Sequence, residues 1–297
     1  MTNAISFGPM VSTEWLTEHL GAADLVVLDA TIIKEALGEL RFMKRPALHE
    51  FEVEGHIPGA RFADLVNEFS DPLGAFPFTR PTSQQIADAT AAHGITRDSL
   101  VVVYDALDGI WAARVWWVLR AFGHDKVAVL DGGLKKWRNE GRALEHGAVQ
   151  CVTRTGAPFE PQYNPDAFVD KTYVARMLDA SSQDVLCNAL RRPVFSGVEK
   201  AYPRPGRIPS SLSVPFDELI DPATNALLSV EALGERLAAS IASGGRIVTY
   251  CGGGITAAGL ALAFAACGVH RVTIYDGSLN EWTVDLDLPL IVDADVR

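Results

Sequence analysis

The chain has 297 residues, 48% hydrophobic and 21% charged; this length suggests two domains, and the balance sets aside disordered, collagen-like and coiled-coil chains. Lys and Arg number 26 against 37 Asp and Glu, a formal charge of −11 shared between the halves, and with no basic cluster or basic aromatic stripe no nucleic-acid partner is expected. No apolar run reaches ~18 residues and the N-terminus lacks a basic stretch followed by an apolar core, so neither a membrane partner nor a secretory signal is expected, and a cytoplasmic location is the default.

In chain order, the first half carries LVVLDA at 25–30 and EGHIPGA at 54–60, then a short strand-like run, Val101-Val102-Val103-Tyr104. Ala112 to Phe122 is apolar at helical spacing and ends at Gly123, a C-cap signal. Val127-Ala128-Val129-Leu130 reads as another buried strand and runs into a turn at Asp131-Gly132-Gly133. Residues 147–165, rich in Pro, Gly and polar side chains, read as a linker. The second half repeats the series with DVLCNA at 184–189, PGRIPSS at 205–211 and the strand Ile247-Val248-Thr249-Tyr250, which leads into Cys251-Gly252-Gly253-Gly254-Ile255-Thr256 and an apolar helix from Ala257.

The correspondence is residue by residue. Tyr104 falls on Tyr250, Gly123 on Gly268, Asp131-Gly132 on Asp276-Gly277 and Trp137 on Trp282. The offset drops from 146 to 145 across the loop after the paired tyrosines, so the loops differ by one residue. The chain is therefore a tandem duplication of one α/β fold, each copy a parallel sheet covered by helices on both faces. The expected boundaries are residues 1–146 for the first unit, 147–165 for the linker and 166–297 for the second unit.

Chemistry concentrates at Cys251. Cys151, Cys187, Cys251 and Cys267 show no C-x-x-C spacing, so neither a disulfide scaffold nor a zinc site is expected, and a cysteine that matters acts alone. Cys187 and Cys267 lie in apolar segments and are expected to be buried; Cys151 lies in the linker. Glycines beside Cys251 let the backbone curl its N–H groups into a nest, and the following helix N-terminus adds about half a positive charge, so the loop suits a sulfur anion.

Four other readings can be set against that loop. Gly252-x-Gly254-x-x-Ala257, with Asp276 further on, matches a dinucleotide-binding fingerprint, but it stands near the end of the chain where such a fingerprint should open a domain. A cysteine phosphatase needs arginine six residues past the nucleophile, where this chain has Ala257. A cysteine hydrolase needs a histidine base, and His270, the only histidine of the second half, lies at the far end of the helix. The plain alternative is a buried structural cysteine in a tight turn.

With Cys251-Gly-Gly-Gly-Ile-Thr-Ala, HIPGA at 56–60, RIPSS at 207–211 and paired Asp-Gly-x-x-x-x-Trp segments, the chain resembles the two-domain rhodanese family of sulfurtransferases. The resemblance implies that only the second unit is catalytic, with Cys251 carrying a persulfide between a small sulfur donor and a thiol or cyanide-like acceptor, and with no metal or other cofactor. Asp105 stands at the cysteine position of the first unit. The neutral loop looks like the mercaptopyruvate type, and an anion there would be held by the N–H groups of Gly252, Gly253, Gly254, Ile255 and Thr256.

The chain also departs from the family. Gly253 replaces a Ser or Thr, Leu190 and Val194 stand where the family has arginines, Arg207-Ile208-Pro209-Ser210 replaces His-Ile-Pro-Gly, and Leu279 replaces a Trp. Arg191, Arg192, Arg204 and Arg207 are candidate substitutes for the missing cations, and His56 and Asp64 match residues near the site in mercaptopyruvate-using relatives. If no residue substitutes, the alternative is a slow or non-catalytic persulfide carrier fed by a partner protein.

Overall fold

The computed structural model describes residues 8–36, 42–149, 156–179 and 182–293. In the first half the strands are β1 (Met10–Val11), β2 (Leu25–Asp29), β3 (Ile32–Ala36), β4 (Phe42–Pro46), β5 (Arg61–Phe62), β6 (Leu100–Tyr104) and β7 (Val127–Leu130). The second half has β8 (Phe168–Val169), β9 (Val185–Asn188), β10 (Leu212–Ser213), β11 (Ile247–Tyr250) and β12 (Val272–Tyr275).

The two sheets show the duplication directly. The first is ordered β1-β7-β6-β2-β5 and the second, taken in the same sense, β8-β12-β11-β9-β10, with every pairing parallel. Their central strands are buried on both faces, so they read as continuous apolar runs. The repeated tyrosines follow from a shared tether: the Tyr104 hydroxyl accepts the Ile57 N–H at 3.2 Å, and the Tyr250 hydroxyl accepts the Ile208 N–H at 3.2 Å. Each pins an Ile-Pro turn to its central strand. The sequence segments EGHIPGA and PGRIPSS thus match because they make the same bond.

The helices Ile110–Ala121 and Ile255–Ala266 each follow the central strand of their sheet. Both are apolar on nearly all sides, the signature of a helix covered all round, and they pack on each other. One hydrophobic cluster runs from Val103 and Trp111 through to Leu260 and Phe264, so the inner layers of both halves share a core. Separate clusters cover the outer faces, around Tyr104 and Trp137 in the first half and around Tyr250 and Trp282 in the second.

Polar ties cross the same boundary. Asn225 donates to the Leu107 carbonyl, the Leu227 N–H donates to Asp131 at 3.0 Å, and Lys135 donates to the Pro222 carbonyl at 2.7 Å. The deepest tie is an ion pair. Arg114, wholly buried on the first helix, donates from Nη2 to Asp276 Oδ1 at 2.7 Å and to the Phe78 carbonyl at 2.7 Å. Asp276 Oδ2 accepts the Arg80 N–H at 2.8 Å.

Beyond the expected repeat lies an antiparallel hairpin, β3 with β4, which has no counterpart among the described strands of the second half. Cys151 lies outside the described residues. Among the described residues no helix is long and apolar enough to cross a membrane.

Removing one partner of a buried ion pair strands the other charge, at a cost of about 3–5 kcal/mol. Asp276→Ala is therefore expected to lower unfolding stability by that amount in urea titration. The double variant Arg114→Met with Asp276→Asn should recover most of the loss; equal losses in both variants would show that the pair is not the source.

Candidate active site

Cys251 follows β11 at the carboxyl end of the central strand, where parallel α/β sheets place ligand sites. It is 2% exposed and borders a cleft of about 440 Å³ between the halves. The turn after β12 shapes its loop. Ser278 Oγ accepts the Cys251 N–H at 3.1 Å and donates to the Tyr275 carbonyl at 2.7 Å. The Leu279 N–H donates to the Cys251 carbonyl at 3.1 Å, and the Asn280 N–H donates to the Gly252 carbonyl at 2.8 Å.

These bonds fix which way the loop's amides face. In a planar trans peptide the N–H points opposite to the carbonyl. With the carbonyls of Cys251 and Gly252 drawn toward the Leu279–Asn280 turn, the N–H groups of Gly252 and Gly253 are turned away from it. Among the described residues the N–H groups from Gly252 to Thr256 have no acceptor. Gly254 closes the nest at φ +77°, a left-handed conformation that a side chain disfavours, and a Cβ there would come within 2.8 Å of Arg114 Nη1. At Gly253 a Cβ would come within 2.7 Å of Asn280 Nδ2, so the hydroxyl side chain that the family has at this position would have to displace Asn280.

The first half contains the same turn already filled. Asp105 Oδ1 accepts the N–H groups of Leu107 at 2.8 Å and Gly109 at 3.0 Å, and Oδ2 those of Trp111 and Ala112, both at 3.0 Å. The Leu134 N–H donates to the Asp105 carbonyl at 3.0 Å, as Leu279 does to Cys251. One copy of the turn therefore holds a carboxyl group on four backbone N–H groups. Burial, and then the neighbouring Asp108, push the Asp105 carboxyl up to about 6, while its backbone hydrogen bonds pull the other way.

Residues from both halves line the cleft beside Cys251. The first half contributes Lys34, Lys44, Asp108 and Trp111, and the second Leu190, Arg191, Tyr202 and Asp217 among others. Tyr202 lies over the loop, where its hydroxyl would collide with any side chain at Gly252; burial and Cys251 push that hydroxyl well above its ordinary value. Lys44 is drawn below the ordinary lysine value by burial of its amine in the cleft and by the charge of Lys34, against an opposing pull from Cys251. Among the described residues no group of three His, Cys, Asp or Glu side chains is placed to hold a metal ion.

The rhodanese-like domain family matches residues 12–140 and again residues 175–285. The chain belongs to the rhodanese family. It is 34% identical to thiosulfate/3-mercaptopyruvate sulfurtransferase 2 of Arabidopsis thaliana, over 95% of this chain and 86% of that protein. To the 3-mercaptopyruvate sulfurtransferase of Escherichia coli K12 it is 33% identical, over 94% of this chain and 96% of that one. A crystal structure of a 3-mercaptopyruvate sulfotransferase from Escherichia coli superposes with a TM-score of 0.76 at 30% identity, covering 91% of this chain and 98% of that chain.

Within this rhodanese cleft the residues expected from sequence separate into two groups. Cys251, Gly252, Gly253, Ile255 and Thr256 border it, with Gly254 completing their loop. Arg191 also borders it, but in a bidentate pair with Glu199 at 2.6 and 2.8 Å. Arg192, Arg204, Arg207, His56 and Asp64 are placed elsewhere. Arg192 pairs with Glu218 on the surface; Arg204 donates to the carbonyls of Trp282, Thr283, Asp285 and Leu288; Arg207 pairs with Asp293 and stacks on Phe195. His56 is buried against Phe51, its ring nitrogens near the carbonyls of Ile57 and Gly147, and Asp64 caps its own turn by accepting the N–H groups of Val66 and Asn67.

Sequence reasoning missed Lys34, Lys44, Trp111, Tyr202 and Ser278. Only Ser278 left a trace, in the Asp276-Gly277 pair that precedes it and repeats Asp131-Gly132. Cys187 is buried, where burial pushes its thiol up to about 12, whereas Cys267 is only half-buried.

The Asp105 shift has a pH consequence. Its folded value near 6 lies above 3.8, so between about pH 4 and 6 the native state binds more protons than the unfolded chain, and stability from this group falls as pH rises through that window. The expected fall is roughly 3 kcal/mol. Denaturant titrations at pH 4, 5, 6 and 7 should show a decline in wild type that is missing from Asp105→Asn; parallel curves would assign the slope to other groups.

Proposed function

We propose that the protein is a sulfurtransferase that takes a sulfane sulfur from a small donor onto Cys251 and passes it to a thiophilic acceptor. 3-Mercaptopyruvate fits better than thiosulfate as the donor. The observation that carries this reading is the juxtaposition of Cys251 with a nest of unused N–H groups whose twin, in the first half, holds the Asp105 carboxylate. The names of the relatives in Arabidopsis thaliana and Escherichia coli support it. The loop's neutral composition supports the mercaptopyruvate choice, since it offers no side-chain charge to the second anionic end of thiosulfate.

The Cys251 thiolate attacks the donor's sulfur, an S–S bond forms, the donor's C–S bond breaks, and its electron pair stays on carbon as the enolate of pyruvate. The proton that the donor's thiol brought is released from the persulfide, and the enolate carbon takes one up to give pyruvate. The persulfide anion is stabilised by N–H groups aimed where its charge develops, at no reorganisation cost. An acceptor such as cyanide then attacks the outer sulfur, the S–S bond breaks, and the thiolate is restored.

A second reading is favoured by Leu190 and Val194, which put apolar side chains on the cleft wall where the family has arginines. It makes the protein a slow persulfide carrier charged by a partner protein. We place either activity in the cytoplasm; among the described residues Cys187, Cys251 and Cys267 are free thiols, which suits a reducing compartment.

Purified protein given 3-mercaptopyruvate or thiosulfate, with cyanide as acceptor, is expected to form thiocyanate, faster with 3-mercaptopyruvate. Cys251→Ser should fall to background. Wild type no faster than this variant with either donor would overturn the donor-using enzyme. Mass spectrometry showing one added sulfur atom on Cys251 without any donor would then favour the carrier.

A further inference from the structure

The family's two arginines are absent, and the arginines nearest in sequence are either paired with glutamates or committed to carbonyls elsewhere. The cations that do reach the cleft come from the hairpin of the other half. Lys34 on β3 and Lys44 on β4 face each other in the antiparallel register, and both side chains border the cavity that holds Cys251. Lys44 Nζ stands 5.2 Å from the Phe78 ring centre and 5.8 Å from that of Trp111, and Lys34 Nζ 5.6 Å from Trp111. Contact with aromatic faces holds an ammonium without neutralising it. Among the described residues neither lysine is in an ion pair, whereas Arg191 on the same wall is.

Trp111 adds a further unused group. It is 1% exposed, and its indole N–H has no acceptor among the described residues. Asp108 stands close enough to Lys34 to be stabilised by it, which offsets part of that lysine's charge and leaves Lys44 the less compensated of the two.

We infer that Lys44, assisted by Lys34, binds the carboxylate of the sulfur donor at the mouth of the cleft that Cys251 borders, so that the first half recognises the substrate and the second half holds the nucleophile. This rests on the sulfur-transfer reading above for its donor. It reverses the division that the missing arginines suggest: the recognition function has moved across the domain boundary. A donor spanning the cleft places its carboxylate at the hairpin and its sulfur at Cys251.

The test separates binding from turnover. In the Cys251→Ser background, where no sulfur can be transferred, pyruvate is titrated calorimetrically as the desulfurised carboxylate. Losing a charge-assisted contact is expected to weaken binding about tenfold or more in Lys44→Gln and by less in Lys34→Gln, with Lys44→Arg restoring affinity and Arg191→Gln leaving it unchanged. With Cys251 intact, Lys44→Gln should raise the KM for 3-mercaptopyruvate in the same proportion. Unchanged pyruvate affinity in the Lys34→Gln, Lys44→Gln double variant overturns the inference, as does a loss carried by Arg191→Gln or an absence of pyruvate binding in the Cys251→Ser parent. If the wild-type protein transfers no sulfur, the sulfur-transfer reading fails, and the pyruvate titration still decides the lysines.

Discussion

The buried pair of Arg114 and Asp276 is the contact on which the site depends. A guanidinium removed from water carries a desolvation cost of several kcal/mol, offset only by a partner in good geometry. Arg114 belongs to the first half and is wholly buried, and that partner lies in the second, so the halves are held in one relative position by the need to satisfy a charge. Asp276 begins the turn whose next residues, Ser278 to Asn280, bind the N–H and carbonyl of Cys251 and the carbonyl of Gly252. Arg114 also crowds Gly254 from behind. The orientation of the nest amides is thus tied, through a chain of hydrogen bonds, to the domain interface.

The two copies of the turn share one backbone and differ in what occupies it. In the first half four N–H groups are spent on the Asp105 carboxyl group, which occupies the place a ligand would take. In the second half a one-residue shorter loop puts a thiol where the carboxylate would be. A thiol accepts hydrogen bonds weakly. The amides therefore stay available for a charge that arrives with the donor or develops on the sulfur. The same backbone spends its amides on an internal carboxyl group in one copy and leaves them for chemistry in the other, and the difference lies in one side chain and one residue of loop length.

Much of this was legible because it is local or repeated. Strands β6, β7 and β11 and the helices after β6 and β11 follow from apolar runs, and the likeness of the two sheets follows from matched tyrosines and Asp-Gly pairs. The Cys251 loop could be read since its glycines and its helix N-terminus are contiguous with it. The cations could not be read. Whether Arg191, Arg192, Arg204 or Arg207 faces the cleft depends on Glu199, Glu218, Asp293 and a set of backbone carbonyls, partners separated by loops whose paths no local pattern records. The β3–β4 hairpin escaped for a related reason. Its charged residues, Lys34 and Glu35 on one strand and Lys44 and Arg45 on the other, give it the composition of a surface loop. His56 shows the opposite error, a family motif position whose side chain here is locked between Phe51 and two carbonyls.

An acidic protein that binds an anion must build positive potential against its own net charge of −11. Here nearly every source of that potential avoids a free arginine. The nest contributes partial charges on N–H groups, the Ile255–Ala266 helix contributes its N-terminal dipole, and Arg114 contributes a full charge that is buried behind the loop and shared with Asp276. None of these is mobile, and all act within a few ångströms, where the solvent screening that weakens surface charge is least effective. The lysines of the hairpin are the exception, exposed as residues but with their amines drawn over aromatic rings at the cleft. They provide long-range attraction at the mouth while the fixed dipoles act at the sulfur. A cleft divided this way can admit an anionic donor without holding its anionic product at the nucleophile, because the carboxylate is bound at the rim and the amides are reserved for the persulfide.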